Sequence, residues 1–336
     1  MKPSVLSVLR TSSGLDEYPL FRALVSSDLD VVNFDDRLYC WHEAPTKSHR
    51  LARRLNRRAL ATALDERLIY YLEKMRPSHF LIFKAPSISR EVILAAKSVG
   101  AQTIGIYPDL DPAVYGTGYV DTLSEIDLFF HTKPNLSDYF RDNINKKSQA
   151  IGPFYDPAQV APIAQADRKI GVSFIGHHSP GKEESIARFA SLYSGRISIY
   201  GDRWSADMFR KAKADVVLHP ALYGRMVNDV YQRSTCVLGL LMEAVSAHGA
   251  GDEITSRTIL VPSYGGLLLH KKTPAAATIF GDQDDLLYEN SGDLAEKVER
   301  LERDPKVRTK LALTQQSLAL QAGTNAQSFI MKTILS

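Results

Sequence analysis

Residues 252–266 read DEITSRTILVPSYGG, and the meaning of this stretch decides how the rest of the chain is read. Its first half is polar and charged: Asp252, Glu253, Thr255, Ser256 and Arg257. An apolar run and the pair Gly265–Gly266 close it, and a short strand, GLLLH, follows. The pattern predicts a helix beginning near Thr255, with Asp252 or Glu253 close to its N-terminus. The unpaired N–H groups of a helix start attract an anion, and an arginine beside them adds a planar fork suited to phosphate. Gly265 and Gly266 permit a tight turn or a close backbone approach to a ligand. The same residues also fit an ordinary helix cap, an ion pair and a turn.

Outward from this stretch, strands and helices alternate. SVLSVLR (4–10), LDVVNF (29–34), HFLIFK (79–84), QTIGIY (102–107) and IDLFFH (126–131) read as buried strands. One long helix is expected over 47–75, because Leu51, Leu55, Ala59, Leu64, Leu68, Leu72 and Met75 recur at helical spacing. Residues 152–169, GPFYDPAQVAPIAQADRK, are the candidate linker. The alternation then restarts with IGVSFIG (170–176), RISIYG (196–201), DVVLHP (215–220) and TCVLGLLM (235–242). Near the end, Ser291 or Asp293 is expected to cap a helix through Arg303, and Asp304–Pro305 to start another. Residues 315–335 also read as helical. Strand–helix alternation at this spacing predicts an α/β protein with parallel sheets covered by helices. The expected domains are 1–155 and 170–316, with a terminal helix over 317–336 returning to the first.

The bulk numbers agree with two domains. The chain has 336 residues, 44% of them hydrophobic and 24% charged, and a net charge of +3. That length supports two cores, and the composition is that of a globular protein. The small charge gives no argument for a nucleic-acid partner. The two cysteines, Cys40 and Cys236, have no metal spacing and no disulfide framework. The N-terminus lacks the pattern of a signal peptide, and no apolar run is long enough to cross a bilayer, so a cytoplasmic location is expected. Arg50, Arg53, Arg54, Arg57 and Arg58 crowd the first half of the long helix. They read as a solvated face or as a patch for an anionic membrane surface, with few aromatics interleaved for nucleic-acid stacking.

Loops at the carboxyl ends of strands form the ligand crevice of a doubly wound sheet. Gly14 follows the first strand, and His131 ends the fifth, where it reads as structural or as a base. Asp109 and Asp111 follow the fourth strand, where a carboxylate could take a proton from a hydroxyl. The D-x-D spacing is a weak metal signal, since Asp28/Asp30 and Asp282/Asp284 repeat it. Asp111–Pro112 is also ordinary turn chemistry. Gly176 and Lys182 flank a strand-to-helix loop of the kind that admits phosphate. The adjacent His177–His178 lack the partners of a metal site. Residues 243–251, EAVSAHGAG, read as a pliable lead-in to the central stretch.

The central stretch resembles the nucleotide-sugar-binding segment of the CgeB-like (spore maturation protein-like) branch of GT-B glycosyltransferases. That family carries an acidic residue followed by T-x-R-x-F-E-I-P-A-C-G-G. Asp252, Thr255, Arg257, Pro262, Gly265 and Gly266 stand at its positions, and the Y-P-D-L-D segment ending at Asp111 is similar as well. The family's Glu is Leu260 here, and its Cys is Tyr264. The resemblance implies two Rossmann-like domains with parallel sheets facing an interdomain cleft, the first for the acceptor and the second for the donor. It implies a metal-independent hexosyltransferase-type enzyme without a cofactor. The donor would be a UDP, GDP or dTDP sugar, and the acceptor a glycan, lipid-linked or protein molecule in polysaccharide biosynthesis. The donor contacts implied are Gly176, Lys182, Tyr223, Gly224, Glu253, Thr255, Ser256, Arg257, Gly265 and Gly266. The chemistry would fall to Asp252, Asp109 and Asp111, with Gly14 and His131 on the acceptor side. Leu260 cannot hydrogen-bond ribose, which leaves an inactive nucleotide- or sugar-binding partner subunit as the alternative. A metal-dependent GT-A enzyme using Asp109 and Asp111 is a third reading.

Overall fold

The computed structural model describes residues 2–12, 16–40, 46–163, 168–241 and 251–335. The chain divides into two compact units. Unit 1 comprises Met1–Thr11, Leu15–Ile151 and Ala326–Ser336, and unit 2 is built on Gly152–Asn325.

Unit 1 is a six-stranded parallel sheet of β1 (Ser4–Val8), β2 (Asp30–Phe34), β3 (His79–Phe83), β4 (Gln102–Tyr107), β5 (Leu128–His131) and β6 (Gln149–Ala150), in the order β2-β1-β3-β4-β5-β6. Its central strands are apolar on both faces, as a helix-covered parallel sheet requires: Val5, Leu6, Phe80, Leu81, Ile104 and Phe129 are fully buried. Side chains pin the strand ends. Asn33 accepts from the Leu9 amide and Ser7 Oγ and donates to Leu9 O, tying β2 to β1. Asp127 accepts from both Thr103 N and Thr103 Oγ1, fixing where β5 begins beside β4.

The single helix expected over 47–75 is two helices, Lys47–Leu55 and Arg57–Met75. Asn56 ends the first by donating its Nδ2 to Ala52 O at 2.8 Å. Only Leu64, Leu68 and Leu72 of the expected apolar face are buried. No residue of the first helix is buried, and Leu51 and Leu55 are 58% and 76% exposed.

Unit 2 opens earlier than the expected linker allows. β7 (Phe154–Tyr155) pairs with β14 (Thr324–Asn325), and Ala161 donates its amide to Ser263 O. The main sheet holds β8 (Val172–Ile175), β9 (Arg196–Tyr200), β10 (Asp215–His219), β11 (Cys236–Gly239), β12 (Leu268–Lys271) and β13 (Leu287–Tyr288), in the order β10-β9-β8-β11-β12-β13. All its pairings are parallel. The core joins Val172, Phe174, Ile197, Ile199, Leu238 and Leu269 to Ile186, Phe189, Phe280, Leu294 and Val298 on the helices.

The ends of the later helices follow their caps. Asn290 Oδ1 accepts from Gly292 and Asp293 and opens Ser291–Arg303, and Asp304 Oδ1 accepts from Lys306 and Val307 and opens Pro305–Ala322. The helix expected over 317–336 is interrupted. Gly323 follows Ala322, and a Cβ at Gly323 would lie 2.5 Å from the Ile259 side chain. The last helix, Ala326–Thr333, packs in unit 1: Phe329 meets Phe130 edge-on at 5.1 Å, and Gln327 donates to Ser27 Oγ at 3.0 Å.

Candidate functional site

In unit 2 the chain builds β9 and β10 to one side of β8, then β11, β12 and β13 to the other. The order therefore reverses between β8 and β11, and the carboxyl ends of those two strands border the crevice where such folds bind ligands. Arg257 sits there. Its Nη1 donates to Ile175 O, at the end of β8, at 3.1 Å, and its Nη2 donates to Leu240 O, just past β11, at 2.7 Å. The guanidinium also lies over the Phe174 ring, 5.3 Å from the centroid. Two of its donors are thus committed to strand ends rather than to a free fork, and its fixed charge is held at the reversal point.

Arg257 occupies the first turn of the helix Ser256–Ser263. A chain of hydrogen bonds anchors that turn. Thr255 N donates to Thr258 Oγ1 at 3.1 Å, and Thr258 Oγ1 lies 3.0 Å from His270 Nε2. His270 Nδ1 lies 2.6 Å from Lys271 O, a carbonyl that can only accept, so Nδ1 carries the proton and Nε2 accepts from the threonine hydroxyl. Burial on β12 pushes the His270 acid down to about 4, the Lys271 carbonyl opposes this, and the nearby Arg257 charge adds to it. The imidazole is neutral near pH 7 and serves as an anchor.

The sequence candidates divide around this point. Gly176 follows β8. A Cβ there would meet Phe174 at 2.9 Å and Arg257 Nη1 at 3.2 Å, so its lack of a side chain makes room for the arginine. Lys182 lies in the first turn of Pro180–Leu192, with Nζ 3.4 Å from His177 O. Thr255 and Ser256 form the helix start. Asp252 is half-buried three residues before Thr255. Glu253 has a structural duty, since its Oε2 accepts from Ala275 N at 2.8 Å at the head of the helix Pro274–Phe280. Tyr223 and Gly224 follow β10, two strands from β8. Tyr223 is half exposed, and Gly224, at φ 63°, opens the helix Arg225–Arg233.

Gly265 and Gly266 do not join the group. The eight-residue helix carries the chain about 12 Å away from the carboxyl ends before it reaches them. They turn into the amino end of β12, Gly265 at φ 85° and Gly266 against the Val261 side chain and carbonyl. Their expected donor contact gives way to turn geometry. Leu260 packs against two apolar clusters, one containing Tyr231, Val261 and Tyr264 and the other Tyr155, Ile259 and Ala319. A carboxylate there would face hydrocarbon.

Several neighbours of the reversal point were not taken from sequence as site residues. Trp204 Nε1 donates to Gly176 O at 3.0 Å, and its ring meets Phe174 and His178 edge-on. His178 Nε2 lies 2.6 Å from Glu183 Oε2. Tyr200 and His219 stack at 4.3 Å. Ile175, Tyr200 and His219 are in register across β8, β9 and β10. Aligning the last residue of each strand would have found the stacked pair.

In unit 1, Asp109 forms an ion pair with Lys84. Asp111 is 5% exposed, and its Oδ1 accepts from Ala113 N at 2.8 Å and from Tyr139 OH at 2.9 Å. It caps a turn at Pro112–Tyr115 and is no free base. His131 is fully buried and stacked on Phe140 at 4.4 Å, with its acid pushed down to about 4 by burial. That places it in the core rather than against an acceptor. Gly14 and most of 243–251 lie outside the described residues. Among the described residues no group of three or more His, Cys, Asp or Glu side chains is placed to hold a metal ion.

Residues 182–335, just under half the chain, match the family model for glycosyl transferase-like proteins. No curated protein sequence matches the chain. Among solved structures, trehalose-6-phosphate synthase OtsA is 11% identical, covers 99% of each chain and superposes with a TM-score of 0.65. A putative UDP-N-acetylglucosamine 2-epimerase from Listeria monocytogenes is 12% identical over 100% of this chain and 95% of its own, at 0.61. T4 phage BGT in complex with its UDP-glucose substrate is 11% identical over 99% of each, at 0.53. The fold is the GT-B fold, and the C-terminal part of the chain is glycosyl transferase-like.

Proposed function

We propose that the chain is a glycosyltransferase of the CgeB-like branch of GT-B enzymes, moving a sugar from a nucleotide diphosphate sugar to a glycan, lipid-linked or protein acceptor. The observation that carries this reading is the Arg257 guanidinium at the reversal point of a glycosyl transferase-like unit, in the first turn of a helix. As the glycosidic bond to the diphosphate breaks, negative charge collects on the leaving oxygens. A fixed cation, the N–H of Ser256 at the helix start, and Lys182 stabilise that charge with no reorganisation and no metal. The solved relatives are of mixed activity, a synthase and an epimerase among them, so the fold supports donor binding and the family match supports transfer.

The position of the resembling family's Glu is Leu260 here, packed among apolar side chains. With no carboxylate at that position, the ribose is held more weakly through its hydroxyls, and a dTDP sugar loses least. The test is release of nucleoside diphosphate from UDP-, GDP- and dTDP-sugars, with and without a chelator. Release that survives the chelator supports the reading. Donor binding with no release from any sugar replaces it with the inactive-subunit alternative.

A peripheral membrane contact is part of the same reading. The helix Lys47–Leu55 has no buried residue, and Arg50 and Arg54 are exposed beside Leu51 and Leu55, as are Arg57 and Arg58 just beyond. Charge and apolar side chains on one exposed helix suit an anionic lipid surface. Among the described residues no helix is long and apolar enough to cross a membrane. Sedimentation with phosphatidylglycerol vesicles, lost in pure phosphatidylcholine and in Leu51→Glu/Leu55→Glu, checks this contact.

A further inference from the structure

Two arginines meet at the amino end of the unit 2 sheet, the opposite end from Arg257, and the glycosyltransferase reading leaves both unused. Arg168 precedes β8. Its Nη1 donates to Ser234 O at 3.0 Å and its Nη2 to Gly265 O at 3.3 Å, carbonyls that lie just before β11 and β12. Arg168 is 9% exposed. Arg308 comes from the helix Pro305–Ala322. Two turns further along that helix, and so on the same face, stands Gln315. It is fully buried, its Oε1 accepts from Leu268 N and its Nε2 donates to Leu268 O, each at 2.8 Å. Leu311 and Ala312 between them are buried as well, so this face, with Arg308 on it, is turned to the start of the strands.

The two charges stand together without an acid to cancel them. Burial pushes the Arg168 guanidinium down to about 10, the Arg308 charge adds to this, and Cys236 opposes it. Among the described residues no carboxylate acts on Arg168. Cys236, the first residue of β11, lies close to both. Burial pushes its thiol up to about 12, the Glu302 charge adds to this, and Arg168 and Arg308 oppose it. Glu302 is exposed and accepts from Tyr193 OH. Arg308 Nη1 donates to Leu301 O at 3.4 Å, while its Nε is buried with no hydrogen-bond partner among the described residues.

A guanidinium keeps its proton in a protein, so the positive charge of the pair persists at every ordinary pH. Placing charge out of water is costly unless an opposite charge meets it. The N–H donors left over exclude a metal ion and favour an acceptor that carries negative charge. A planar carboxylate fills one guanidinium fork. The two forks here come from separate elements, and a tetrahedral phosphate offers oxygens to both. Arg308 is only half-buried, which leaves its side open to solvent.

We propose that Arg168 and Arg308 form a phosphate site at the amino end of the unit 2 sheet, taking free phosphate or the phosphate group of a small monoester. The four residues of β8, about 13 Å of strand, separate it from the crevice that holds Arg257. The site does not depend on the transferase reading.

Isothermal titration of the full chain in phosphate-free buffer tests this, with inorganic phosphate and glycerol 3-phosphate as separate probes. Saturable binding of at least one is expected, weakening as salt rises and dropping several-fold in Arg308→Gln. Lys182→Ala, in the donor loop, should leave it in place. Inorganic phosphate binding as tightly as the ester identifies the free anion as the occupant, and tighter binding of the ester identifies a phosphorylated small molecule. No saturable binding of either probe overturns the proposal, as does binding unaltered in Arg308→Gln or lost in Lys182→Ala. Near-UV circular dichroism checks the fold of each variant. Should Arg308→Gln fail to fold, Arg308→Lys, which keeps the charge without the fork, should show a smaller loss of the same kind, and undiminished binding there overturns the site.

Discussion

Arg257 Nη2 donates to Leu240 O at 2.7 Å, and through its other terminal nitrogen the same guanidinium reaches Ile175 O. One side chain thus ties the ends of β8 and β11, strands distant in sequence but separated in the sheet only by their own pairing. It links the stability of the reversal point to its charge.

Arg257→Ala should lower both stability and affinity for nucleoside diphosphates, each by about 1–3 kcal/mol, the range of a charge-assisted contact. Arg257→Lys keeps the charge but cannot span two carbonyls, so it should keep more affinity than stability. Paired thermal-shift and calorimetric titrations read both. A folded Arg257→Ala protein with full affinity would remove this residue from the donor site.

His270 makes stability depend on acid. Its folded acid lies near 4, below the ordinary 6.5. The stabilisation it contributes is whole above about 6.5 and is lost as pH falls towards 4, on the order of 3 kcal/mol. His131 acts in the same direction and window. Urea unfolding at pH 7 and pH 5 should show the loss, and His270→Gln should lessen it by its own share.

Glu17 works in the opposite sense. Its folded acid near 7 exceeds the ordinary 4.5, so its contribution is whole below about 4.5 and is lost as pH rises through 7. Between pH 4.5 and pH 8, the stability of Glu17→Gln relative to the parent should rise by roughly 3 kcal/mol. A constant difference across that range would show that Glu17 ionises as an exposed carboxylate does.

Leu260→Glu restores the acid of the resembling family but sets it against Tyr231, Val261 and Tyr264. It should destabilise by about 1–3 kcal/mol, the cost of burying an unpaired polar group. If the introduced carboxylate reaches ribose, affinity for a UDP sugar should rise relative to a dTDP sugar. Thermal shifts with both donors give the two readings together.

The strands of both sheets were legible because a helix-covered parallel sheet demands continuous apolar runs, as in VSFI before Gly176 and RISIY before Gly201. The helix beginning at Ser256 was legible from its polar lead-in. The long helix over 47–75 was misread because spacing registers which residues share a face and not whether anything covers it. Leu51 and Leu55 share the periodicity of Leu64 and Leu68, yet only the latter pair are buried. Asp111 looked like a base for a similar reason. A carboxylate past a strand end is placed for chemistry, but this one is buried and its Oδ1 already accepts from both Ala113 N and Tyr139 OH.

From its residues alone the chain determined two runs of alternating strands and helices, and a helix start bearing an arginine, since local propensity and apolar period depend on near neighbours. Which carbonyls that arginine holds, that Gly265 and Gly266 lie at the far end of their helix, and that Arg10, Glu17 and Asp36 meet past the carboxyl ends of β1 and β2 were decided only by the tertiary structure. Strand order brings together residues that no sequence spacing relates, and the solvent each side chain loses is set by what lands upon it.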